Sequence, residues 1–138
     1  MPSPLVRTSS LLSRALAADA VVTLVVAFAM LFGAAPLAPW LGLPETLLRF
    51  AGLGLVPYAA WVGWLARRAT LSRSTVGLVV ACNVLWAVDC LVLLASGWVR
   101  PTALGQAFVV AQVVAVAAFA ELQFMGLRRS PAQAGANA

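Results

Sequence analysis

Four apolar stretches, each near the roughly 20 residues that cross a 30 Å hydrocarbon layer, constrain this chain more than any motif in it. They cover about 15–32, 46–66, 75–95 and 103–127. Short breaks separate them: Gly33-Ala34-Ala35-Pro36, Leu43-Pro44-Glu45, Arg67-Arg68 and Ser96-Gly97-Trp98. Backbone N–H and C=O groups inside lipid must be satisfied within the segment, so each stretch is predicted to be a helix. Composition closes the soluble alternative. Of 138 residues 63% are hydrophobic and 9% charged, where a soluble domain carries roughly 25% charged residues. The expected fold class is all-α: a four-transmembrane-helix up-down bundle over residues 1–129 as a single domain, with a polar tail at 130–138 expected to be disordered.

Orientation follows from arginine. Arg7, Arg14, Arg67, Arg68, Arg73, Arg128 and Arg129 lie on the side of the two termini and the middle loop, and only Arg49 and Arg100 lie on the other. Lys/Arg excess marks the cytoplasmic face, so both termini are expected to be cytoplasmic. Trp40 and Trp98 then fall in the outer loops and Trp64 near the inner face, at headgroup level. A net charge of +5 ordinarily raises nucleic acid as a partner. Here the arginines sit at helix ends without interleaved aromatics, so anionic lipid headgroups are the expected partner and nucleic acid is not. Asp19 and the length of the first span argue against a cleaved signal sequence.

Each span carries one ionisable side chain: Asp19, Arg49, Asp89 and Glu121. A charge at the bilayer centre costs at least roughly 2.5–3.5 kcal/mol, so such groups are paired, turned inward or functional. Arg49 and Asp89 lie below the same outer surface, and an Arg49–Asp89 ion pair between the second and third spans is expected. Asp19 and Glu121 both lie one to two turns inside the cytoplasmic boundary. Facing each other, they would form a proton or cation site; reaching outward, each would meet interfacial arginine.

At 100° per residue the third span places Cys82, Asn83, Trp86, Asp89, Cys90 and Leu93 within about 120° of one another. This stripe is expected to face the bundle interior, as interhelical hydrogen bonding or as a cavity lining. The cysteines, eight residues apart on a helix, are about 12 Å distant and cannot form a disulfide. On the second span Gly52, Val56, Ala59 and Gly63 make a small-residue packing seam, within the chain or between protomers. Pro57 frees the Leu53 carbonyl and is expected to kink this helix.

The chain has no His, no GxSxG, no phosphate-binding glycine loop and no CxxC. Neither catalytic residues, a cofactor site nor a metal site is expected. Taken together, Leu41-Gly42-Leu43-Pro44, Arg49-Phe50-Ala51-Gly52-Leu53, Asn83-Val84-Leu85-Trp86, Ser96-Gly97-Trp98, Pro101-Thr102-Ala103-Leu104-Gly105 and Phe119-Ala120-Glu121-Leu122-Gln123 resemble a group of small four-helix integral membrane proteins of Gram-negative bacteria. The resemblance implies the fold and a multi-pass place in the bacterial inner membrane, and carries no activity. The function expected is a non-enzymatic accessory or interaction subunit, a homo-oligomer or a partner of another membrane protein. The alternative is a small transporter or binder of a hydrophobic or cationic molecule using an intramembrane carboxylate.

Overall fold

The computed structural model describes residues 4–132. Its order is β1 (Leu5–Arg7), α1 (Ser10–Phe32), α2 (Ala34–Leu41), α3 (Glu45–Ala66), β2 (Thr70–Ser72), α4 (Arg73–Ser96) and α5 (Ala103–Arg128). Among the described residues, α1, α3, α4 and α5 are long and apolar enough to cross a membrane. Helix starts are set by hydroxyl caps as well as by hydropathy. Ser9 accepts from the Leu12 amide, Ser72 from the Thr75 amide and Thr102 from the Gly105 amide, each satisfying a donor that a helix leaves free at its first turn. The Ser9 cap begins α1 five residues before the expected Ala15 and takes Arg14 into the helix.

Two apolar clusters divide the bundle along its length. One joins Leu12 and Leu16 of α1, Val62 and Leu65 of α3, Val76 and Val79 of α4 and Leu127 of α5. The other joins Met30, Leu48, Cys90 and Val109 from the same four helices. Each helix therefore runs from one cluster to the other, in alternating directions. Both chain ends and the α3–α4 loop share the first, arginine-rich end.

Helix α1 is central: α3 packs along one side of it and α5 along another, while α4 packs on α5. Gly52 sets the α1–α3 distance. A Cβ there would stand 2.8 Å from the Ala27 carbonyl oxygen and 2.8 Å from the Leu31 amide nitrogen. Gly126 does the same for α5, where a Cβ would meet the Leu12 backbone at 2.7 Å. The seam of Gly52, Ala59 and Gly63 is thus turned toward α1, with a Gly63 Cβ at 3.5 Å from Ala20; Val56 is half-buried beside it. A second protomer has no access to this face, because α1 already occupies it. Pro57 lies within α3, which continues as helix through it.

Short irregular pieces tie both ends. At the arginine-rich end β1 and β2 pair antiparallel, Val6 opposite Leu71. The Arg7 amide donates to the Pro131 carbonyl at 3.0 Å. Ser130, almost fully buried, donates to the Gly126 carbonyl and accepts from the Ser9 amide. The tail expected to be disordered from residue 130 is therefore ordered through Ala132, which bridges Val6. Residues 133–138 lie outside the described residues. At the opposite end Gly42 closes α2 with φ +67°, which only glycine adopts freely. The Thr102 hydroxyl donates to the Trp40 carbonyl and its amide to the Leu41 carbonyl. Gly105 sits directly on the Leu41 carbonyl, so α2 is latched to the start of α5. Neither the short α2 nor the strand pair is foreshadowed by hydropathy.

Candidate functional site

All four long helices send at least one polar side chain to a single buried point. Asp19 of α1 is completely buried, nine residues into its helix, a depth of about 14 Å at 1.5 Å per residue. Thr23, one turn on, donates to its Oδ1 at 3.0 Å. Its Oδ2 accepts from Asn83 Nδ2 of α4 at 2.9 Å, Gln123 Nε2 of α5 at 2.7 Å and the Tyr58 hydroxyl of α3 at 3.3 Å. Asn83 Nδ2 also donates to Gln123 Oε1 at 3.0 Å. Asp19 accepts four hydrogen bonds and donates none, the pattern of a carboxylate. Among the described residues no cation pairs with it; the ion pair there is Arg49 with Glu45. Dipoles alone hold this charge, and the burial is tolerable because both oxygens are engaged.

Beside this cluster lies a cavity of about 550 Å³ bounded by α1, α3, α4 and α5. It exists because α3, held tightly to α1 by Gly52, makes little contact with α4. Its walls are mainly apolar, with Phe50, Trp86, Phe108 and Phe119 as the large surfaces and Gly54, Ala111 and Ala115 leaving room between them. The open side falls between α3 and the α4–α5 pair, where Phe50 is 72% exposed. Polar atoms reach the cavity at two places. One is the outer surface of the Asp19 cluster, through Thr23, Tyr58 and Asn83. The other is the pair of Trp86 Nε1 with Gln112 Oε1, 3.1 Å apart.

The expected site residues are distributed differently from the sequence reading. Arg49 bonds Glu45, one turn back on its own helix, at 2.7 Å and half-exposed, and its guanidinium makes no bond to Asp89. Arg49 on α3 and Asp89 on α4 are both exposed. Asp89 is at the edge of its stripe. Relative to Cys82, the buried Val79, Asn83 and Cys90 point at about 60°, 100° and 80°, and Asp89 at about −20°. The buried direction of α4 lies toward the Asn83 and Cys90 side of the stripe and away from Asp89. Cys82, Asn83 and Trp86 line the cavity, and Cys90 belongs to the core.

Asp19 and Glu121 do not meet. Glu121 is exposed, whereas Gln123, about 200° around α5, faces Asp19. The proton or cation site of two carboxylates is replaced by one carboxylate and an amide. Thr23 and Gln123 carry little signal as site residues in the sequence because neutral polar residues weigh little in hydropathy, and Tyr58 reads there as an interfacial or pocket-capping aromatic. A usable signal existed in Asp19-x-x-x-Thr23, since i,i+4 side chains share a helix face. Among the described residues no three His, Cys, Asp or Glu side chains gather as a metal-ligand group. No family of proteins, curated protein or solved structure matches the chain.

Proposed function

We propose that this is a non-enzymatic multi-pass protein of a bacterial inner membrane, with both termini cytoplasmic, that binds a small hydrophobic molecule in the cavity among its helices. The cavity carries the reading. A space of about 550 Å³ is of the size and apolar character of small-molecule sites, and its open side is turned toward the neighbouring bilayer. The arginine-rich end supports the orientation and contact with anionic headgroups. The absence of His in the sequence and the full engagement of Asp19 by four donors leave no matched base and nucleophile, which favours binding over catalysis. The test is saturable binding of dodecanol to the protein in zwitterionic nanodiscs, corrected for empty discs. Gly54 lines the cavity and has open space where its Cβ would be, so Gly54→Leu is expected to occupy part of the cavity. Saturation in the wild type and its loss in Gly54→Leu is the expected result. Equal uptake by both proteins removes the reading.

A second reading, an interaction subunit, is favoured by Asp89 and Glu121. Both are exposed on helices that read as lipid-facing, where an uncovered carboxylate is costly. Self-association through the outer faces of α4 and α5 would cover them. Asp89→Asn is then expected to lower the dimer fraction measured by single-molecule photobleaching in liposomes. A wild type that is monomeric at every protein density tested ends this reading.

A further inference from the structure

The way Asp19 is satisfied determines what the cavity can recognise. Thr23 and Tyr58 have one hydroxyl proton each, and both point it at the carboxylate. Asn83 commits its amide nitrogen to Asp19 and to Gln123. No described residue donates to Asn83 Oδ1, although Asn83 is only 2% exposed and, among the described residues, the one buried side-chain polar atom left without a partner is Thr8 Oγ1. The Asn83 carbonyl oxygen therefore opens on the cavity that Asn83 lines. What the cluster shows the cavity is acceptors only: two hydroxyl oxygens and an amide carbonyl. Behind them stands a full negative charge with no cation paired to it among the described residues. The free amide nitrogen of Gln112 lies about one turn along, beyond Trp86, and is neutral.

We propose that the cavity takes a lipophilic cation, an apolar body bearing a protonated amine. This rests on the cavity being a ligand site and adds the charge of its ligand. An ammonium group has three donors and no acceptor, which matches an acceptor face. In a low-dielectric setting its charge is drawn to Asp19 even without direct contact. Tyr58, Trp86 and Phe119 also line the cavity, and aromatic rings attract cations over their faces. An alcohol supplies one donor and no charge. A carboxylate is repelled.

Three probes with the same chain decide it: dodecylammonium, dodecanol and dodecanoate, measured by equilibrium dialysis against the full-length protein in zwitterionic nanodiscs, corrected for empty discs. With Kd expressed as ligand concentration in the lipid, using the partitioning measured on empty discs, the ammonium is expected to bind at least tenfold more tightly than the alcohol, and the carboxylate not to saturate. Asp19→Asn is expected to erase the preference for the ammonium while keeping the binding of the alcohol. Should that variant fail to fold, Tyr58→Phe removes one acceptor oxygen and leaves the carboxylate in place; it is expected to reduce the preference severalfold. Equal affinity for ammonium and alcohol in the wild type, or a preference unchanged in these variants, overturns the proposal and leaves the cavity as a site for neutral molecules. Failure of all three probes to saturate overturns both.

Discussion

Gly52 and Gly54 lie two residues apart on α3, and the same substitution is expected to act on them in opposite directions. Replacing glycine by alanine inside a helix gains up to about 1 kcal/mol from backbone propensity alone. At Gly54 nothing lies within reach of the new methyl group, so Gly54→Ala should keep that gain. At Gly52 the methyl carbon would stand 2.8 Å from both the Ala27 carbonyl oxygen and the Leu31 amide nitrogen. Relief requires α1 and α3 to part by several tenths of an ångström along a close interface, and overpacking of this kind costs typically about 1–3 kcal/mol. The net loss for Gly52→Ala is about 0–2 kcal/mol after the propensity gain. The two variants should therefore differ by about 1–3 kcal/mol. The assay is reversible unfolding in mixed micelles titrated with SDS, followed by tryptophan fluorescence. Because the obstacles are backbone atoms, Ala27→Gly should not rescue Gly52→Ala. Equal stability of the two variants, or rescue by Ala27→Gly, would refute the close backbone approach and with it the placement of α3.

Three other outcomes use the same unfolding assay. Asp19→Leu strands four donors, which at an average of about 0.6 kcal/mol for a hydrogen bond in a membrane costs about 2 kcal/mol; Asp19→Asn keeps a carbonyl acceptor and should cost less than half as much. A stable Asp19→Leu would mean that the cluster does not hold the bundle together. Arg49→Gln removes a half-exposed pair with Glu45 on the same helix and should cost no more than about 0.5 kcal/mol once screening is counted; a loss several times larger would point to a partner beyond Glu45. Ser130→Ala deletes the hydroxyl that joins Ser9 and Gly126 and should cost about 1 kcal/mol, with faster hydrogen exchange at the Ser9 amide; unchanged exchange there would show that the tail does not anchor α1.

Hydropathy alone makes the four long helices legible, because a span of apolar residues in lipid has no alternative but helix. Their ends are less so. Arg14 reads as a boundary, yet the Ser9 cap and the burial of Leu12 carry α1 past it. The site was half visible. Asp19 stands out as a charge, and Asn83 as a polar member of a stripe, but their meeting depends on α1 lying between α3 and α5. No local pattern states which helix neighbours which. Gln123 was masked by Glu121 for the same reason: charge draws the eye, while the rotation of α5, set by Gly126 against Leu12, decides which of the two faces inward. Asp89 was placed inside because six residues define an arc without defining its middle. The buried Val76 and Val79, which fix that middle, look like any other valines in an apolar helix.

The latches at the two ends of the bundle, Thr102 on Trp40 and Leu41 and the β1–β2 pair with Pro131, frame the gap beside α3 from above and below. On the ligand-binding reading proposed above, a window framed in this way fills from the side. The reservoir that supplies it is then the amount of ligand dissolved in the surrounding lipid, and the aqueous concentration matters only through partitioning. Two amines with the same intrinsic fit but a tenfold difference in partition coefficient would show a tenfold difference in apparent Kd. Adding empty membrane at constant total ligand would weaken the apparent affinity by dilution in two dimensions, with no change in any contact the protein makes.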